Sequence, residues 1–236
     1  MPSIQDDRGY NQGFKPSKAM EFRIERRSRF MMDRMDLSKE NEILEIGCGL
    51  GEISFYIAQH TKSNVLGTDL CQPFIEQATR SYSLPNLQFD LLDFNHPEKL
   101  NGRKFDYIIG NGILHHLYYN LDEAFLSLKA LLKDGGKILF MEPNIVNPYC
   151  FLIFGTTDFF RNWAKLEPGE KAFTKRLLRK KLQTAGFKNI DVDNRDFLLP
   201  VTPDFLVKPT IVASNIFEKI PVLKLMAQSV FLSAEK

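Results

Sequence analysis

The chain has 236 residues, 44% of them hydrophobic and 25% charged, with a net charge of +2. That size and apolar content suit one large α/β domain over residues 1–236 rather than two domains, and near-neutrality removes any whole-protein case for nucleic acid as a partner. No apolar run approaches bilayer length, the opening MPSIQDDRGYNQ lacks the apolar core of a secretion signal, and Cys48, Cys71 and Cys150 fall at no metal-ligand spacing, so a cytoplasmic protein with no metal and reduced thiols is expected.

In chain order, residues 1–40 read as a polar segment containing Tyr10, Asn11 and Phe14, followed by a helix over Lys18–Met35. Phe22, Phe30, Met31 and Met35 form its apolar stripe, and Arg23, Arg26, Arg27, Arg29 and Arg34 are read as its solvated face.

Residues Ile43 to Ile53, ILEIGCGLGEI, are an apolar strand, an acid and three glycines at alternate positions. Gly47, Gly49 and Gly51 allow positive φ and bare backbone under a ligand, which makes a cradle where a strand opens into a helix. The dinucleotide fingerprint GxGxxG does not fit, because the third glycine comes one residue early and Glu52 holds its place. Glu45 and Glu52 would repel a pyrophosphate and favour a cationic ligand. Cys48, inside the turn, is read as a small apolar filler.

Asn64–Asp69 is a second short strand whose terminal Asp69 lies about twenty residues past the first glycine, where an α/β nucleoside site places its ribose carboxylate. A third strand, Leu87–Asp93, ends in Asp93, with Asp90 as the competing acid. Phe105–Leu117 is a fourth strand running into a loop that carries Asn111, His115 and His116, and Leu131–Glu142 is a helix end, a glycine turn and a fifth strand. Gly135 and Gly136 only turn the chain. Strands alternating with helices predict a three-layer α/β/α sandwich, with the strand ends facing one crevice.

The pattern [DE]xGxGxG with these later strands resembles the class I S-adenosylmethionine-dependent methyltransferases, in particular type-11/12-like small-molecule enzymes, closely over about residues 40 to 142. The resemblance implies a Rossmann-like, seven-stranded, mostly parallel sheet whose last strand, Ser229–Glu235, is antiparallel. It implies S-adenosylmethionine as cofactor, with S-adenosylhomocysteine as product. Its cofactor-binding set is Glu45, Gly47, Cys48, Gly49, Gly51, Asp69, Leu70, Leu92, Asp93, Phe94 and Asn111, Asp93 lying by the adenine amino group and Asn111 by the methionine part. In similar enzymes a segment like that around Tyr10 folds over the cofactor.

Beyond the core of residues 41–142, two insertions, 143–173 and 200–225, read as helical caps over the substrate. The first carries Tyr149, Phe151, Phe154, Phe159, Phe160 and Trp163, which either wall an apolar pocket or pack the cap onto the sheet. The second is expected to be helices broken at Pro203, Pro209 and Pro221. Lys175, Arg176, Arg179, Lys180 and Lys181 form a basic helix face, either resting on anionic lipid at the inner membrane face or simply solvated. The apolar caps alternatively form a homodimer interface.

His116, His115 and Glu142 are the titratable candidates for a catalytic base, since an imidazole takes up a proton near neutrality. The loop Asn111-Gly112-Ile113-Leu114 lacks the [DNS]PP[YFW] motif of nucleobase and protein-amide methyltransferases. Methyl transfer to a small, lipophilic acceptor is therefore expected, with O-methylation preferred over C- or N-methylation. An aminopropyl transferase, whose cradle resembles GGGDG, fits less well. A non-catalytic cofactor-binding or assembly protein is the reading from another class.

Overall fold

The computed structural model describes residues 17–94, 96–155, 157–167 and 169–236; Tyr10, Asn11 and Phe14 lie outside the described residues. Helix α1 (Lys18–Met32) starts where Ser17 Oγ accepts from Met20 N at 3.2 Å, a side-chain N-cap. The next elements are β1 (Glu42–Ile46), α2 (Glu52–His60), β2 (Asn64–Asp69), α3 (Gln72–Ser81) and β3 (Leu87–Leu91). Then come β4 (Phe105–Asn111), a 3-10 turn over Leu114–Asn120, α4 (Leu121–Leu131) and β5 (Leu132–Pro143). The first insertion folds as α5 (Pro148–Gly155) and α6 (Asp158–Trp163), before α7 (Lys175–Thr184) and β6 (Lys188–Arg195). The second folds as α8 (Asp204–Phe217) and α9 (Pro221–Lys224), before β7 (Ser229–Glu235).

The strands form one sheet in the order β3-β2-β1-β4-β5-β7-β6, parallel except for β7, which is antiparallel to both neighbours. Strand residues alternate between two cores. Ile108 and Phe140 pack with Phe125, Leu128 and Leu182 on one face, while Ile109, Leu139 and Met141 pack with Met31 and Ile57 on the other. Burial on both faces explains why these strands are nearly continuous apolar runs, each such side chain contributing about 1.5–3 kcal/mol. Strand order reverses between β1 and β4, so their C-terminal ends part and open a crevice at the glycine turn.

Three expectations are corrected. Arg23 and Arg27 do not belong to a solvated face: both are buried on α1, against Asp196 just after β6. Arg26 also reaches Asp196, at 3.6 Å, so that only Arg29 and Arg34 keep substantial exposure. Pro209 does not break the second insertion but sits inside α8, where it is exposed. The six aromatics of the first insertion also divide: Phe154 is buried and Tyr149 packs with it, but Phe151, Phe159 and Trp163 point outward, Trp163 being 62% exposed.

On α7, Leu178 and Leu182 are fully buried and the basic side chains lie opposite, Lys181 pairing with Asp122 at 2.6 Å. Among the described residues, no helix is long and apolar enough to cross a membrane.

Candidate active site

The glycine turn closes by Gly51 N donating to Cys48 O, and Cys48 N donating to Thr68 O on β2, both at 2.9 Å. Gly47, Gly49 and Gly51 all have positive φ, of 64°, 54° and 83°. Their surroundings differ. A Cβ on Gly47 would lie 2.7 Å from Ile113 Cδ1 and one on Gly51 2.6 Å from the Phe89 ring, whereas one on Gly49 would meet nothing within 4 Å. Gly47 and Gly51 are packing glycines, and Gly49 presents bare backbone to the open crevice.

Asp69 fixes that backbone from the end of β2. Its Oδ2 accepts from Gly49 N and its Oδ1 from Cys71 N, each at 2.9 Å. A carboxylate oxygen has two lone pairs, so an acid clamped in this way can still accept from a diol. Leu92 N donates to Asp69 O at 3.0 Å, bringing the chain after β3 alongside. Asp93, two residues past β3, and Phe94 are half-buried there, as is Leu70; Asp90 lies within β3 opposite Thr68 and is exposed.

Glu45 is 2% exposed and accepts from Ser54 Oγ at 2.5 Å, so its carboxyl is turned under the first turns of α2. Burial pushes it up to about 8, the Ser54 bond opposing. The thiol of Cys48 is buried and is likewise raised by burial.

Asn111, at the end of β4, is held by Arg27: Nη1 donates to Asn111 Oδ1 at 2.6 Å. The other guanidinium nitrogens donate to Asp196 (Nε, 3.3 Å), and to Gln228 and Ser229 (Nη2, 2.7 Å each). Asp196 is 0% exposed and sits at a φ of 66°. The position of Asn111 thus depends on α1 and on both ends of the second insertion. Sequence reasoning missed Arg27, Asp196 and Gln228 because their pairing crosses the whole chain.

Glu142 ends β5 and is 1% exposed. Its Oε1 accepts from Ile113 N and Leu114 N at 3.0 and 2.8 Å, and its Oε2 from His115 N at 3.2 Å. Those three backbone donors face its two oxygens, and His115 Nδ1 lies 3.0 Å from Oε2, so the tautomer that donates here carries its hydrogen on Nδ1 and a lone pair on Nε2.

The His116 ring lies 4.2 Å from that of His115, and its Nδ1 is 3.1 Å from Glu170 Oε1 and 3.8 Å from Glu167 Oε2. Burial alone would lower this imidazole, but the two carboxylates outweigh it and raise it to about 10. Glu167 and Glu170, in the charged LEPGEK stretch within an aromatic insertion, also escaped sequence reasoning, although that change in composition was a usable signal.

A doubly wound sheet with a glycine cradle at its switch point and a clamped acid at the end of the next strand defines a protein that binds a nucleoside-type cofactor. Residues 44–138 match the sequence model of a family described as a methyltransferase domain. The S-adenosyl-L-methionine-dependent Diels-Alderase iccD of Talaromyces variabilis is 28% identical over 75% of this chain and 63% of its own length. Phosphoethanolamine N-methyltransferase 1 of Triticum aestivum is 27% identical over 70% of this chain and 32% of its own, so the chain spans less than two thirds of either relative. A SAM-dependent methyltransferase from Archaeoglobus fulgidus shares the fold, with a TM-score of 0.63 at 16% identity, over 92% of this chain and 94% of that one. Over residues 44–138 the chain is similar to methyltransferase domains, and the iccD enzyme is named for S-adenosyl-L-methionine, a sulfonium nucleoside. The open backbone at Gly49 and the fixed Asp69 carboxylate fit such a nucleoside.

Proposed function

We propose that the chain transfers a methyl group from S-adenosylmethionine to a hydroxyl oxygen of a small acceptor held beneath the insertions 143–173 and 200–225. The observation that carries this reading is the Glu142–His115 pair, in which a buried carboxylate fixes both the ring and its tautomer. When bound, the cofactor supplies a methyl already activated on a sulfonium. The chain has to hold the acceptor in line, which supplies roughly 7–11 kcal/mol of a displacement barrier, and to take its proton. His115 Nε2 is the proton acceptor in this reading, and Glu142 stabilises the imidazolium that forms. Asp69, Gly49 and Asn111 bind the cofactor. The inward apolar group of Tyr149, Ile153 and Phe154, whose ring meets His115 edge-on at 5.9 Å, supports a lipophilic acceptor.

A second reading, N-methylation of an amine, is favoured by the Glu167 and Glu170 carboxylates, which suit a cationic acceptor. The wheat relative is named as an enzyme of that kind.

The test incubates the protein, Asp69→Ala and His115→Gln with methyl-labelled S-adenosylmethionine and cell extract, then separates organic, aqueous and macromolecular fractions. Label in the organic fraction that both substitutions abolish supports the first reading. Label in a water-soluble amine that survives His115→Gln supports the second. No label in any fraction from a protein that still binds the cofactor makes it a non-catalytic binding protein.

A further inference from the structure

We infer that His115, His116 and Glu170 form a site for a divalent first-row transition ion of the zinc type. One ligand atom from each, the two ring nitrogens and a carboxylate oxygen, lies within 4.8 Å of the others. Around a tetrahedral ion with bonds of about 2.0–2.1 Å such atoms sit roughly 3.4 Å apart, so the set closes by a contraction of up to about 1.4 Å.

Three features favour an ion over an ordinary histidine–carboxylate contact. Glu142 accepts a hydrogen bond from the Nδ1–H tautomer of His115, which leaves the Nε2 lone pair on the side of Glu170, 3.9 Å away. A carboxylate behind a ligating imidazole is the usual support of a bound metal, because it fixes the tautomer and raises the basicity of the other nitrogen. Next, His116 Nδ1 is buried and, although 3.1 Å from Glu170 Oε1, is out of line for a hydrogen bond.

The third feature is charge. Glu142, Glu167 and Glu170 converge on two imidazoles. The guanidinium of Arg161 beside them donates to the backbone carbonyls of Phe154, Glu167 and Glu170 rather than to those carboxylates. Glu142 and Glu170 are buried, and a divalent cation that takes the place of the His116 proton offsets their charge. The histidines precede the first insertion and Glu170 lies within it, which is why no short metal motif announces the set.

Three protein ligands leave a fourth position for water or an acceptor oxygen. This goes beyond the reading above and rests on it only for the acceptor: His115 Nε2 is a ligand while the ion is bound and the proton acceptor only in the metal-free protein. A hydroxyl bound to the ion is acidified and releases its proton to water.

The test needs no methyl transfer. Chelator-treated protein is titrated with Zn2+ by calorimetry and with Co2+ by visible absorption, alongside Glu170→Gln, His116→Gln, Glu142→Gln and, as a surface control, His96→Ala. One equivalent of each ion is expected, with tetrahedral Co2+ bands that Zn2+ displaces. Glu170→Gln and His116→Gln should weaken binding at least 100-fold, Glu142→Gln by about 10- to 100-fold, and His96→Ala not at all. S-adenosylhomocysteine affinity, measured in each variant, shows that the fold is kept. Absence of saturable binding, or affinity that Glu170→Gln and His116→Gln leave unchanged, overturns the site. Metal-free protein that still methylates an acceptor leaves the methyltransferase reading standing while removing the ion from it.

Discussion

Arg27 and Asn111, 84 residues apart in sequence, meet in a hydrogen bond of 2.6 Å that joins the first helix to the crevice end of β4. Because Arg27 also holds Asp196, Gln228 and Ser229, one guanidinium links the cofactor crevice to the chain on both sides of the second insertion.

Arg27→Ala leaves the buried Asp196 with two of its three arginines and frees Asn111. Breaking a buried ion pair from one side costs roughly 3–5 kcal/mol. Denaturant unfolding should show a loss of about that size, with weaker S-adenosylhomocysteine binding at temperatures where the variant remains folded. A loss below 1 kcal/mol would mean that Arg23 and Arg26 re-form the network alone.

Asp69→Ala removes the acceptor for Gly49 N and Cys71 N as well as the one for a ligand diol. Each charge-assisted bond is worth about 1.5–3 kcal/mol, so calorimetry should record cofactor affinity lower by on the order of 10- to 1000-fold. An unchanged dissociation constant would take Asp69 out of the site.

Glycines 49 and 51 should separate binding from folding. Gly51→Ala places a methyl group 2.6 Å from the Phe89 ring at a φ of 83°, combining overpacking of about 1–3 kcal/mol with backbone strain of about 1–2 kcal/mol. Gly49→Ala meets only the strain, since its Cβ enters open crevice. Thermal melts should drop further for Gly51→Ala, while Gly49→Ala loses more cofactor affinity than its melt explains. The reverse order would place the ligand over Gly51.

Glu45 gives a pH dependence of defined sign. Its folded value of about 8 lies above the ordinary 4.5, so its contribution to stability is fully present below about 4.5 and is lost as pH rises through 8. Urea unfolding across that window should show wild type losing stability relative to Glu45→Gln, which keeps an amide beside Ser54 and has no proton to give up. Parallel profiles for the two proteins would place the Glu45 carboxylate in water.

Elements set by local chemistry were legible in the chain. The second strand, Asn64–Asp69, lies where the sequence pattern predicts and the last, Ser229–Glu235, where the family resemblance implies, and the glycine turn forms at the switch point because both sides of it are buried strand or helix. What escaped is non-local. An arginine on an amphipathic helix reads as solvated until Asp196, 169 residues away, is folded against it. Glu170 reads as one more surface acid until the first insertion turns it onto His116. Helix α1 stops at Met32 rather than Met35 because the chain there changes to i→i−3 bonds, Arg34 N donating to Met31 O and Met35 N to Met32 O at 3.0 Å each. Pro209 escaped because α8 exposes apolar residues such as Phe205 and Val212, so its pattern marks no polar side.

The placement of β7 between β5 and β6 has a consequence for biosynthesis. Strand β6 pairs with no strand but β7 among the described residues, and β7 is translated after all the others. While a ribosome is still extending the chain, β5 therefore has a bare edge and β6 has nothing to add to. The buried Arg27 likewise waits for Gln228 and Ser229. A nascent chain stalled before residue 229 would be an open sheet with an uncovered apolar edge, a form that chaperones bind, and the cofactor crevice would acquire its final geometry only once those last residues leave the exit tunnel.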